Sequence, residues 1–231
     1  MTSTSQNVFL HGSLTALYVR TALPIIMLLA VHGFISIADA WFLGRFVGPE
    51  ALAAVTLIFP FFMGVAALST LVSSGMASVM ARHLGAGVSE KARDLFAGAH
   101  GLSLVLCAGL MVLFVFFGEA AVRMAAGGDA DMAALAIPYL HITVATAALA
   151  FLLSLHSRAL QNQGRIRFMT MMSLFVSLAN IVFNYVFIVG LGLGVAGAAL
   201  GTAIAQTIGL AIIYAWGLST STRLRISDAL D

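Results

Sequence analysis

Charge is scarce in this chain: 9% of its 231 residues are Asp, Glu, Lys or Arg, against 61% that are hydrophobic. A soluble domain carries about 25% charged residues, so a membrane-embedded protein is expected. Clusters of basic residues are missing too. The net charge of +2 is too weak for the electrostatic footprint of a nucleic-acid binder. One cysteine, Cys107, excludes an internal disulfide. No GxxxxGK[ST] phosphate loop occurs, which leaves ATP-driven work unsupported. The opening MTSTSQNVFLHGSLTALYVR has neither a basic start nor a small-residue cleavage site after a short apolar core. The expectation is that no signal peptide is removed and that the first span itself directs insertion.

What the chain does have is long apolar runs. An α-helical span needs roughly 20 mostly apolar residues. Six segments qualify, at about 21–44, 55–80, 95–117, 133–157, 168–190 and 197–218. Glycine-rich or charged stretches separate them, among them GRFVGPEA, RHLGAGVSEKARD and RALQNQGRIR. Strands of a membrane barrel would alternate strictly over about ten residues, and no run does. The expected fold class is an all-α membrane protein, a six-transmembrane-helix bundle over residues 21–218. Residues 1–20 would form a cytoplasmic N-terminal segment and 219–231 a tail or the start of a linker.

Lys and Arg stay on the cytoplasmic side of a membrane. With the N-terminus inside, that side holds Arg20, Arg82, Lys91, Arg93, Arg158, Arg165, Arg167, Arg223 and Arg225, nine of the 11 basic residues. Arg45 and Arg123 remain outside. Both termini are therefore expected to be cytoplasmic.

Against this background the stretch HGFISIADAWFLGR is anomalous, because it puts Asp39 inside the first span. Asp39 falls about five residues, or roughly 8 Å, before the outer end of that helix. Asn184, in NIVFNYVF of the fifth span, lies about six residues before the same boundary, with Asn180 one turn deeper on the same face. Thr202, in GAALGTAIAQ of the sixth span, lies about five residues past that boundary. Three helices thus place a carboxylate, two amides and a hydroxyl in one layer.

An ionised Asp facing lipid costs about 2.5–3.5 kcal/mol on insertion scales. The stable alternatives are a protonated acid, or an interior hydrated cavity with hydrogen-bond donors around it. Removal from water favours the neutral acid, and an arriving cation favours the ionised one. A group for which proton and cation compete is the minimal device for exchange transport. The bland alternative is packing: Asp39 near a helix end, with Asn180, Asn184 and Thr202 holding helices together.

In order and spacing, these residues resemble the first half of a multidrug and toxic compound extrusion (MATE) transporter, over most of residues 14–218. The stretches concerned are ALPIIMLLAVHGFISIADAWFLGRFVGPEALAAVTLIFP, SSGMASVMARHLGAG, RALQNQG and NIVFNYVFIVGLGLGVAGAALGTAIAQ. The resemblance implies one lobe of a two-lobe (6+6) fold in a bacterial inner membrane, exporting cationic amphipathic small molecules against inward movement of H+ or Na+. It implies a substrate or cation site at Asp39, Asn180, Asn184 and Thr202, and no cofactor beyond the coupling ion. Many proton-linked members carry an acid where this chain has Asn184, so the coupling ion stays open. The family has twelve helices, and an even number of spans per lobe gives a parallel repeat. The expected partners are the lipid bilayer and either a missing C-terminal lobe or a second copy.

Pro24 and Pro60 fall inside the first two spans, as kinks or possible hinges; Pro138 marks a boundary or local bend in the fourth. His32, Ser36 and Asp39 share a helix face. His141 and His156 are too far apart for an i, i+4 pair and Cys107 is solitary, so no zinc site is expected. Gly197 and Gly201 form a small-xxx-small pair suited to close helix packing. Met169, Met171 and Met172 suit core or lipid contact more than a pliant drug surface. Three other functions compete with this one. A flippase for lipid-linked precursors would need a basic cavity, and no Lys or Arg lies inside the spans. A truncated half-transporter would be inactive until paired. An enzyme is not expected, because no nucleophile–base pairing or metal spacing appears.

Overall fold

The computed structural model describes residues 33–219 together with Ile26 and Ala30. Pro24 and His32 lie outside the described residues. Every regular element in the described part is helical. The first helix, α1, is continuous over residues 33–46. It closes at Gly48, whose φ of 127° suits a residue without a Cβ. Pro49 follows at the first helical position of α2 (Pro49–Gly85), where its missing N–H costs nothing. Next come α3 (Ser89–Ala125), α4 (Ala130–Ala145), α5 (Ala147–Asn162), α6 (Ile166–Asn184) and α7 (Gly194–Ser219). A π-helical turn, Tyr185–Gly190, continues α6.

Four of these helices are long and apolar enough to cross a membrane, and the bent pair α4–α5 makes a fifth. The apolar windows of α2 and α3 have mean hydropathies of 2.3 and 2.5, yet only 22% of each is buried within the bundle. Large side chains such as Leu71, Val115, Phe116 and Phe117 point away from the other helices. Lipid, or further protein in the membrane, is the medium that such a surface requires. This is a multi-pass membrane protein.

The fourth span differs from the single helix expected over 133–157. It is two helices meeting at 46°, with Thr146 at the joint. Pro138 lies inside α4, eight residues before that joint. Two threonine hydroxyls bond backward at the joint. Thr143 Oγ1 donates to the Tyr139 carbonyl at 2.8 Å and Thr146 Oγ1 to the Ile142 carbonyl at 2.7 Å. Hydroxyls that bond back onto the preceding turn compete with the ladder and bend helices. Asp129 opens α4 by accepting from the N–H groups of Asp131 and Met132, both at 3.0 Å. By contrast, α2 runs unbroken through Pro60.

Packing centres on α2, which lies against α3, α4 and α5, while α7 lies against α4, α5 and α6. One apolar cluster joins Val72, Met76 and Met80 of α2 to Phe96 of α3 and Phe151 and Leu155 of α5. Two polar clasps reinforce it: Ser154 donates to Ser73 at 2.9 Å, and Asn162 donates to the Ala77 carbonyl at 2.7 Å. Interhelical hydrogen bonds in membrane proteins are worth about 0.6 kcal/mol on average, with a maximum of about 1.7 kcal/mol. Ser154→Ala is therefore expected to lower stability by about 0.6 kcal/mol, read as a small fall in the unfolding midpoint in detergent. A second cluster joins Phe42 and Leu43 of α1 to Ile188, Val195 and Ala198, and so holds the end of α1 against α6 and α7.

Candidate functional site

Three helices converge near one end of the bundle. At 1.5 Å per residue, Asp39 lies about 10 Å before the last helical residue of α1, and Thr202 about 12 Å past Gly194. Asn184 closes α6 at the π-turn. Asn184 is fully buried and Asn180 nearly so, whereas Asp39 is half-buried.

The hydrogen bonds form one chain, and its polarity can be worked out from donor inventory. Thr202 Oγ1 spends its single proton on the Ala198 carbonyl, at 3.1 Å. It therefore serves as acceptor for Asn180 Nδ2, 2.9 Å away. That orients Asn180 Oδ1 toward Asn184 Nδ2, at 3.4 Å. The other proton of Asn184 Nδ2 goes to Asp39 Oδ1, at 2.5 Å. The four residues named from the sequence are thus brought into a single array, which ends on the carboxylate.

One atom is left over. Asn184 Oδ1 is buried and accepts no hydrogen bond among the described residues. It points at Gly201, where an added Cβ would collide with it. Close approach of α7 to α6 thus depends on the two glycines: at Gly197 an added Cβ would lie 3.0 Å from the Phe187 carbonyl carbon. The π-turn beside it widens the helix, with Leu191 N–H reaching back five residues to the Val186 carbonyl at 2.9 Å. The carboxylate thus receives an amide proton from Asn184, whose own oxygen faces Gly201 and not Asp39.

The sequence did not single out Tyr139 of α4. It packs beside Phe42, Leu43 and Ile188 and lies within electrostatic reach of Asp39. Nothing local marks it, because its proximity to Asp39 arises only from the contact of α4 with α7 and the end of α1. Ser36 has an interaction of its own, and the third member of its helix face, His32, lies outside the described residues.

The array lies within an all-helical membrane bundle and ends on an acid. The family model described as MatE matches residues 24–186, and the chain belongs to that family. It is 26% identical over 211 residues to an FAD transporter of Shewanella oneidensis, covering 87% of this chain and 46% of that protein. Its fold is similar to a solved MATE in complex with MaD3S, with a TM-score of 0.83 and 29% identity, over 90% of this chain and 47% of that one. It is equally similar, at a TM-score of 0.83 and 29% identity, to an outward-facing multidrug resistance MATE family transporter of the MOP superfamily, covering 90% of this chain and 46% of that one. The chain therefore spans about half the length of the relatives it matches.

Proposed function

We propose that this chain is the N-terminal lobe of a cation-coupled exporter of cationic, amphipathic small molecules. In this reading Asp39 holds cargo or coupling ion, H+ or Na+, in alternation. The observation that supports it most is the carboxylate shared between α1 and the Asn184–Asn180–Thr202 array. A ligand can bias a conformational equilibrium only by its differential affinity for the two states. A charged Asp39 and a neutralised one meet Asn184 on different electrostatic terms, so the occupant can bias how α1 seats on α6. Pro60, inside α2, is proposed as a place where the lobe bends. The lobe sits in an inner membrane with both termini cytoplasmic, as the distribution of basic residues favours, and its cavity is completed by a second lobe or a second copy.

The Shewanella relative named for FAD raises an anionic dinucleotide as a second cargo. The polar groups of this site are a carboxylate, amides and a hydroxyl, which favour a cation. The test is efflux from reconstituted vesicles under separate pH and sodium gradients, with tetraphenylphosphonium and FAD as alternative cargoes. Cation efflux that follows one gradient supports the proposal. FAD movement without cation movement would replace it.

A further inference from the structure

A second buried polar site lies away from Asp39, on α3 and α5. His100 and His156 face each other with ring centroids 5.0 Å apart at 90°. They are 8% and 3% exposed. Each Nδ1 lies 2.8 Å from a main-chain carbonyl one turn back, Phe96 O for His100 and Leu152 O for His156. A carbonyl oxygen only accepts, so each neutral ring must carry its proton on Nδ1. Both Nε2 atoms then present bare lone pairs, and both are buried with no partner among the described residues. Two buried acceptors side by side without a donor are costly unless something supplies a proton.

Aromatic side chains surround the pair. Phe96 stands 4.4 Å from His100 and 5.3 Å from His156, and Tyr214 of α7 stands 5.2 Å from His156. Aromatic rings within about 6 Å of a cation attract it through their quadrupoles. The buried Ser103 hydroxyl, three residues past His100, also has no partner among the described residues. Among groups from other elements, Tyr214 is the titratable one against the pair, and α2 contributes Met76 and Met80. Met169 and Met172 of α6 pack on Leu160 and Ile213. The titratable groups near the meeting of α4 with α3, His141 and Glu119, lie further along, beside Phe114. On α3 and α5 themselves, the charged residues next in sequence are the exposed Asp94 and the half-buried Arg158.

We propose that His100 and His156 form a binding site for one proton, distinct from Asp39 and at the opposite end of the lobe. His156 lies six residues, about 9 Å, from the end of α5, while Asn184 lies about 27 Å along α6 from the turn that joins those helices. The proton comes from water at that nearer end. A second proton would set two positive rings 5.0 Å apart in a low-dielectric interior, so the pair takes one and not two.

The test is imidazole nitrogen NMR on the chain, labelled at histidine and held in lipid nanodiscs, from about pH 4 to about pH 9. Spectra of His100→Gln and His156→Gln assign the signals. The expected result is two Nδ1–H rings at high pH that shift together and take up one proton between them. Removal of either ring should move the midpoint of the other by at least about half a pH unit. Asp39→Asn should leave the titration unchanged, which separates this site from the proposed transport site. Two rings that stay neutral throughout, or that each take up a proton independently of the other, would overturn the proposal. One variant that folds is enough, because the signals it loses and shifts identify both rings in the unsubstituted chain.

Discussion

Asp39→Asn is expected to weaken cation binding by the lobe while leaving its fold in place. The substitution keeps shape and keeps an oxygen for Asn184 Nδ2 to bond, so the contact between α1 and α6 survives. What goes is the negative charge. A hydrogen bond or ion contact to a charged group is worth about 1.5–3 kcal/mol, so affinity for tetraphenylphosphonium or Na+ should fall by roughly 10- to 150-fold. All four residues of the array lie within this lobe, so the measurement is made on the lobe itself. Equilibrium dialysis in nanodiscs gives the affinity, and thermal unfolding gives the fold. If the variant instead unfolds while cation affinity is unchanged in whatever remains folded, Asp39 is a packing residue and the transport reading fails.

Gly201→Ala is expected to damage the same site without touching a ligand. The added methyl group would overlap Asn184 Oδ1, an atom fixed at a fully buried residue. Overpacking of this kind costs about 1–3 kcal/mol. Asn184 can yield only by turning away from Asp39 or by pushing α7 off α6, so the carboxylate loses its partner. Cation affinity should fall together with the unfolding midpoint. Gly75→Ala is the control. An added Cβ there meets nothing within 4 Å, and the change inside α2 should be neutral or stabilising by up to about 1 kcal/mol. Equal effects from the two substitutions would mean that helix propensity, not the close approach of Gly201 to Asn184, governs both.

Much of this site was legible in the chain, for a reason that belongs to membranes. In a soluble protein one Asp and two Asn say little, because polar residues are everywhere. Here the spans are almost free of charge, so Asp39 stood out, and helical rise alone set Asn184 and Thr202 at its level. Membership of one layer did not specify the order of the array. That came from Thr202 spending its proton on Ala198, which decides which way each amide points. The glycine pair was readable as a packing device, but the dependence of Asn184 on Gly201 needed the crossing of α6 and α7.

Where the reading differed, tertiary or local competition was responsible. Pro138 is the conspicuous helix breaker of the fourth span, yet the chain bends eight residues later, where two threonine hydroxyls bond backward. Threonine has no such signature in a sequence, because the same hydroxyl can equally point toward a neighbour. The His100–His156 pair was hidden for a simpler reason: the two residues lie on different helices, so no spacing rule connects them. Periodicity reports which residues share a face, but not which faces meet.

The central claim is that one carboxylate is contested by cargo and coupling ion. It is tested most directly by tetraphenylphosphonium binding to the lobe, measured at a series of pH values and of sodium concentrations. Protons or Na+ should weaken binding competitively, and Asp39→Asn should leave a weak affinity indifferent to both. Tight binding that neither ion displaces, equal in the two proteins, would contradict it.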